Sequence, residues 1–291
     1  MEIARFDSGN RNDPGEFLLA CLSEAESRES RRTILEKLMP LLPFGHHPLL
    51  QIEQHPDAMV RHRLRQHHVQ YLNEIKLRLD VRRLIRGGIE IDLEQGAFLV
   101  SRLSGDPYWT PERFRQSLDA LALPLQERYI QEKEPLEQLD LFLDYVFREQ
   151  KLAGNQANYY DPRNSYLTEV IRTKTGIPVA LGTLCVLIAR RIALNLQGVN
   201  LPGHFMLVFK QEQTEIFMDP FHQGQRLDRQ DCLGFLEKQY IPPANEYLQP
   251  ASNLDILKRM YRNLIAYSVH QGDQNQEKIL RQHFAILEDG Q

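Results

Sequence analysis

Three cysteines in 291 residues (Cys21, Cys185 and Cys232) are too few and too scattered for a disulfide framework or a zinc ribbon. Their count is odd and no CxxC spacing occurs, which fits a reducing compartment. The opening MEIARFDSGN lacks the basic-then-apolar pattern of an export signal. No apolar run approaches the ~20 residues of a membrane-spanning helix. The longest, Val179 to Ala189, contains Gly182 and Thr183. There is no excess of positive charge either: 35 Lys and Arg against 39 Asp and Glu give −4, the wrong balance for an obligate nucleic-acid binder. Neither GxxxxGK[ST] nor GxGxxG is present, so nothing points to a nucleotide cofactor. The expectation is a cytoplasmic chain with no cofactor, no membrane segment and no nucleic-acid partner.

What is there has the composition of an ordinary globular protein, 42% hydrophobic and 25% charged. The length allows two compact units, or one core with helical flanks. Residues 1–86 read as a helical, HEAT-like region, with apolar helical spacing at 15–22 and 28–39 and a repeat-like stretch from about 49. Arg61 to Arg86 is rich in arginine. It alternates with the stripe Val69, Leu72, Ile75 and Leu79, and reads as a solvated helix face. Arg86-Gly87-Gly88 marks a boundary. A core follows over 87–240, in which Asp92 and Thr110 are N-caps, Pro111 a first-turn proline, and 135–150 a strongly amphipathic helix. Residues 241–291 read as two helices broken at Gln271-Gly272-Asp273, like the end of a tetratricopeptide unit.

The centre of the chain is Tyr159 to Phe221. Gly176 and Pro178 announce a helix from Val179 to about Leu194 that is apolar nearly all round, hence buried. HFMLVF and IFMD, separated by QEQTE, predict a β-hairpin carrying His204 and Asp219. If Lys210 pairs with Gln213, His204 faces Asp219 directly. A carboxylate beside an imidazole fixes its tautomer, as in a base–orienter pair or a structural one.

The segments YYDPRNSYL, TGIP, LPGHF and DPF, in that order, resemble the transglutaminase-like core of the SirB invasion-regulator family. A similar core occurs in certain F-box proteins. The resemblance implies an α+β fold: a papain/transglutaminase-like core with a central buried helix and a small antiparallel sheet, flanked by helical units. It sets His204 and Asp219 at the family's histidine and aspartate, and the cysteine position near Pro178. It makes Asn164, Tyr166, Pro178, Asn200 and Phe221 cleft-lining candidates.

No thiol stands where the helix N-terminus would activate one. Cys185 falls in the apolar stripe of the helix. Thr175 and Ser165 are nearby hydroxyls, and Ser165, which belongs to the NSYL motif of the resemblance, is the candidate replacement nucleophile, though Asn164-Ser165 also reads as a helix cap. His204, Asp219 and His222 fall short of a closed metal site on sequence spacing, and the pairs His46-His47 and His67-His68 point apart, so no metal is expected. Two functions follow. One is a non-catalytic, pseudoenzyme-like module that binds a protein or peptide. The other is a hydrolase or amidase using His204 and Asp219 with a non-cysteine nucleophile.

Overall fold

From Gly176 to Ala189 every residue is buried, so the chain is arranged around a helix with no wet face. A computed structural model describes residues 76–86, 91–128, 134–212 and 214–289. The chain divides into two compact units, Met1–Lys76 and Leu77–Gln291. The first, apart from Lys76, lies outside the described residues. The two helices and the HEAT-like stretch expected there, Cys21 and the paired histidines therefore lie outside the described residues.

In the second unit residues 77–86 are helical. Then come α1 (Leu93–Ser101), α2 (Pro111–Arg128) and α3 (Pro135–Leu143), the last continuing as a π-helical turn over Asp144–Glu149. Two-residue strands β1 (Ala153–Gly154) and β2 (Thr175–Gly176) flank a 3-10 turn at Pro162–Ser165 and the helix α4 (Leu167–Thr173). The central helix is α5 (Pro178–Arg191), followed by β3 (Leu196–Val199), β4 (Met206–Gln211), β5 (Thr214–Asp219) and β6 (Gln225–Leu227). The helices α6 (Arg229–Lys238), α7 (Asn253–Gln271) and α8 (Gln274–Glu288) close the chain. The arrangement is α+β, as the sequence predicts. No described helix is long and apolar enough to cross a membrane.

Local chemistry sets the ends. The Asp92 carboxylate accepts from the Gln95 N–H ahead of α1, Thr110 caps α2 through the Arg113 N–H, and Pro178 opens α5. Gly272, at φ 69°, ends α7 in the left-handed conformation that glycine adopts without steric cost. The expected cap of α4 differs: its N-cap is Tyr166, without a side-chain bond, and Asn164 is used elsewhere.

The sheet order is β3-β4-β5-β6, all antiparallel, and it forms one layer. Side-chain alternation divides its residues between two cores. Phe205, Leu207, Phe209 and Met218 join the large core containing α5. Met206, Val208 and Phe217 join a smaller one with Cys232 and Leu236 of α6. The α7–α8 pair belongs to the large core through Leu257, Met260, Leu264 and Leu280.

Close approach of α5 to the sheet depends on Gly182. A Cβ there would lie 2.5 Å from the Phe205 ring. Phe205 is fully buried and has nowhere to turn. Gly182→Ala should therefore destabilise by about 1–3 kcal/mol of overpacking, set against a helix-propensity gain of at most ~1 kcal/mol. Denaturant unfolding measures this, and a variant as stable as the parent would contradict the packing.

Candidate functional site

The hairpin register differs from the expected one. Lys210 pairs with Glu215 and Gln211 with Thr214, so His204 and Asp219 stand diagonally rather than directly opposite. They remain on one face, because the shift is by an even step. That face is turned toward α6. The His204 ring lies 5.2 Å from the Phe235 ring, and Asp219 shares the side of β5 occupied by Phe217.

His204 Nε2 is 2.9 Å from Asp219 Oδ2, with the side chains only 10% and 8% exposed. His222, three residues beyond Asp219, brings Nδ1 to 2.8 Å from the same oxygen. The other oxygen, Oδ1, accepts from the backbone N–H groups of Phe221 and His222. Burial by itself raises the Asp219 pKa. The hydrogen bonds and charge of His204, then the bonds from His222 and the Phe221 N–H, outweigh it and bring the value down to about 2. Sequence spacing left His222 short of a closed site with this pair, whereas the structure brings it onto the same carboxylate oxygen as His204. The signal was the place of His222 in DPFH, where a tight turn folds the fourth residue back over the first.

The turn is tied to the N-terminal end of α5. The Gly154 N–H donates to the Phe221 carbonyl, and Gly154 pairs with Gly176, just ahead of Pro178. Asn164 holds the intervening loop. Its amide donates to the carbonyls of Asn158 and Tyr159, its side-chain oxygen accepts from Asn155, and its backbone carbonyl accepts from Ile177. Tyr166 is buried, its phenol pushed up to about 12 by burial first and then by Tyr267 and Asp161. Pro178 is buried, Asn200 accepts from Arg259 at 3.4 Å, and Phe221 packs edge-on to Tyr159. Ser165 is buried and makes no hydrogen bond to His204.

Both described thiols are sealed in. Cys185 is fully buried within α5, and burial pushes its pKa far up. Cys232, on α6 beneath the site, is pushed up to about 12 by burial and then by Asp231 and Asp228. Neither is a thiolate at neutral pH. A cavity of about 560 Å³, lined by Gln138, Asn195, Lys210 and Glu212, opens at the other end of the hairpin, away from these groups.

A histidine–aspartate pair on neighbouring strands, beside a buried helix that begins at the same end of the domain, is the layout expected of a transglutaminase-like core. Its sequence model, the Transglutaminase-like superfamily, matches residues 112–262. The chain belongs to that superfamily. A UPF0162 protein of Xylella fastidiosa is 35% identical over 126 residues, 41% of this chain and 45% of the relative. F-box only protein 21 of Mus musculus is 30% identical over 149 residues, 48% of this chain and 23% of its own length. A UPF0162 protein of Vibrio cholerae is 25% identical over 134 residues, 45% of this chain and 49% of the relative. The matched stretch thus spans less than half the length of each of these relatives. No solved structure matches the chain.

Two outcomes follow for this transglutaminase-like core. In a Cys21→Ser background, the native chain should resist iodoacetamide and take it up at Cys185 and Cys232 only on unfolding. Intact-mass spectrometry reads this, and rapid native labelling would show that the thiols are not sealed. Asp219 ionises more readily in the folded chain, at about 2 against an ordinary 3.8. Its contribution is therefore complete above pH 4 and is lost as pH falls from about 4 to about 2. Allowing for solvent screening, Asp219→Asn should cost roughly 1–2 kcal/mol at neutral pH and flatten that acid limb. Equal acid sensitivity in both proteins would reject the coupling.

Proposed function

We propose that this chain is a transglutaminase-like protein that binds a protein or peptide partner and performs no thiol chemistry. The observation that carries this is the start of α5. Pro178 opens the helix where the family resemblance sets the cysteine, and the thiols that are described lie buried and protonated. The His204–Asp219 pair then acts as a polar anchor beneath the surface that meets the partner.

From that anchor a row of rings runs outward. His222, Phe221, Tyr159 and Tyr160 follow one another at centroid spacings of 5.4, 5.7 and 5.3 Å. Tyr160 is 66% exposed. Exposed aromatics of this kind supply large contact area at low entropic cost, and such residues dominate binding energy at protein interfaces. The part-buried Arg259 beside them, hydrogen-bonded to Asn200, adds a cationic edge for a carboxylate or an acidic side chain. The related stretch of F-box only protein 21 is 23% of that chain, consistent with one core serving inside a larger protein. The finer parts of this reading are a SirB-type regulator, a cytoplasmic location and a tetratricopeptide-like role for α7 and α8.

A second reading is a hydrolase in which Asp219 orients His204 as base for water or Ser165. The His204–Asp219 bond favours it, since it leaves Nδ1 free to take a proton. The two readings separate cleanly. Peptides selected from a displayed library on the full chain should lose about tenfold in affinity, ~1.4 kcal/mol, with Tyr160→Ala. Hydrolysis of peptides, amides and esters should be no faster than with His204→Ala. Turnover that disappears in His204→Ala would replace the binding reading with the hydrolase.

A further inference from the structure

A base–orienter pair needs one imidazole, and this site holds two. The turn after β5 fixes Asp219 Oδ1 on two backbone N–H groups, at 2.8 and 3.2 Å, and so aims Oδ2 at His204 Nε2 and His222 Nδ1 together. The three atoms lie within 4.8 Å of one another, and no other three such groups gather this closely among the described residues. His222 has no part in the pair as a catalytic base or as an anchor, yet it is held as closely as His204.

We infer that His204, Asp219 and His222 form a binding site for a divalent d-block cation of the zinc type. Two imidazoles and one carboxylate are the donor set of open, three-ligand zinc sites. Calcium and magnesium prefer sets made of oxygen alone. Each ring nitrogen facing Oδ2 becomes a lone-pair donor when its proton moves to the other nitrogen of the same ring. Those other nitrogens make no hydrogen bond with the described residues, so nothing there opposes the exchange.

Donors about 2.1 Å from a tetrahedral ion stand about 3.4 Å apart, so the two nitrogen–oxygen contacts must open by roughly half an ångström. The His222 side chain, 52% exposed, supplies its part of that movement, and the His204–Asp219 contact opens by a small turn of the His204 ring beside Phe235. The backbone donors on Oδ1 serve as the outer shell that orients a ligating carboxylate. Phe235 and Phe221, with rings 5.2 Å from His204 and 5.4 Å from His222, limit water on two sides. His222, 52% exposed, is the member of the three beside which solvent reaches the fourth position. This inference is independent of the partner-binding reading, and its test reads metal alone.

The full chain, stripped with chelator and dialysed, is titrated with Zn²⁺ by calorimetry and with Co²⁺ by visible absorption. One equivalent should bind with a four-coordinate cobalt spectrum. His222→Ala should weaken that event at least about tenfold, with circular dichroism confirming its fold. Because the chain has ten histidines, the difference between parent and His222→Ala defines the site. Two-bond proton–nitrogen NMR should show the His204 proton on Nδ1 once Zn²⁺ is added. Absence of saturable binding, a titration unchanged by His222→Ala, or a His204 ring that zinc does not perturb would each overturn the inference.

Discussion

The structure depends on one helix being dry on all sides. From Pro178 to Ala189 no residue of α5 reaches solvent, and α2, α4, α7 and the sheet are arranged to cover it. Each buried Leu, Ile or Val there contributes on the order of 1.5–3 kcal/mol, which no amphipathic arrangement of the same length could match. Charge begins only at the C-terminal end. There Arg190 and Arg191 reach Asn253, Asp119 and Glu94, and their positive charge suits that end of the helix dipole.

A covered helix also fixes where the polar chemistry can be. The sheet turns one set of side chains to α5 and the other to α6, and the buried carboxylate of Asp219 falls on the second. It is stable there because every accessible lone-pair direction is used: two backbone N–H groups on one oxygen and two imidazoles on the other. Buried charge survives only with such complete satisfaction. The same satisfaction gathers three metal-competent donors at the foot of an exposed aromatic row.

Much of the fold was legible because it is written locally. Gly176 and Pro178 announce α5, Asp92 and Thr110 cap their helices, Gly272 stops α7, and the two β-prone runs make the hairpin. What escaped depends on partners distant in sequence. LQGV and QRL have too little pattern to declare themselves strands, and become β3 and β6 only by pairing with β4 and β5. Asn164 looks like a helix cap, but its side chain holds a loop through Asn155 and the carbonyls of Asn158 and Tyr159, and its backbone carbonyl accepts from the Ile177 N–H.

By itself the sequence determined the buried helix, the β-hairpin that carries His204 and Asp219, and the absence of a thiol from the first turn of that helix. These follow from nearest neighbours and from the two- and 3.6-residue periods of strand and helix. Only the tertiary structure decided the register, the face to which the pair turns, the burial of Cys232 under it, and the addition of His222. Each of these is fixed by which layers close over the sheet, and layer packing joins residues that no local period connects.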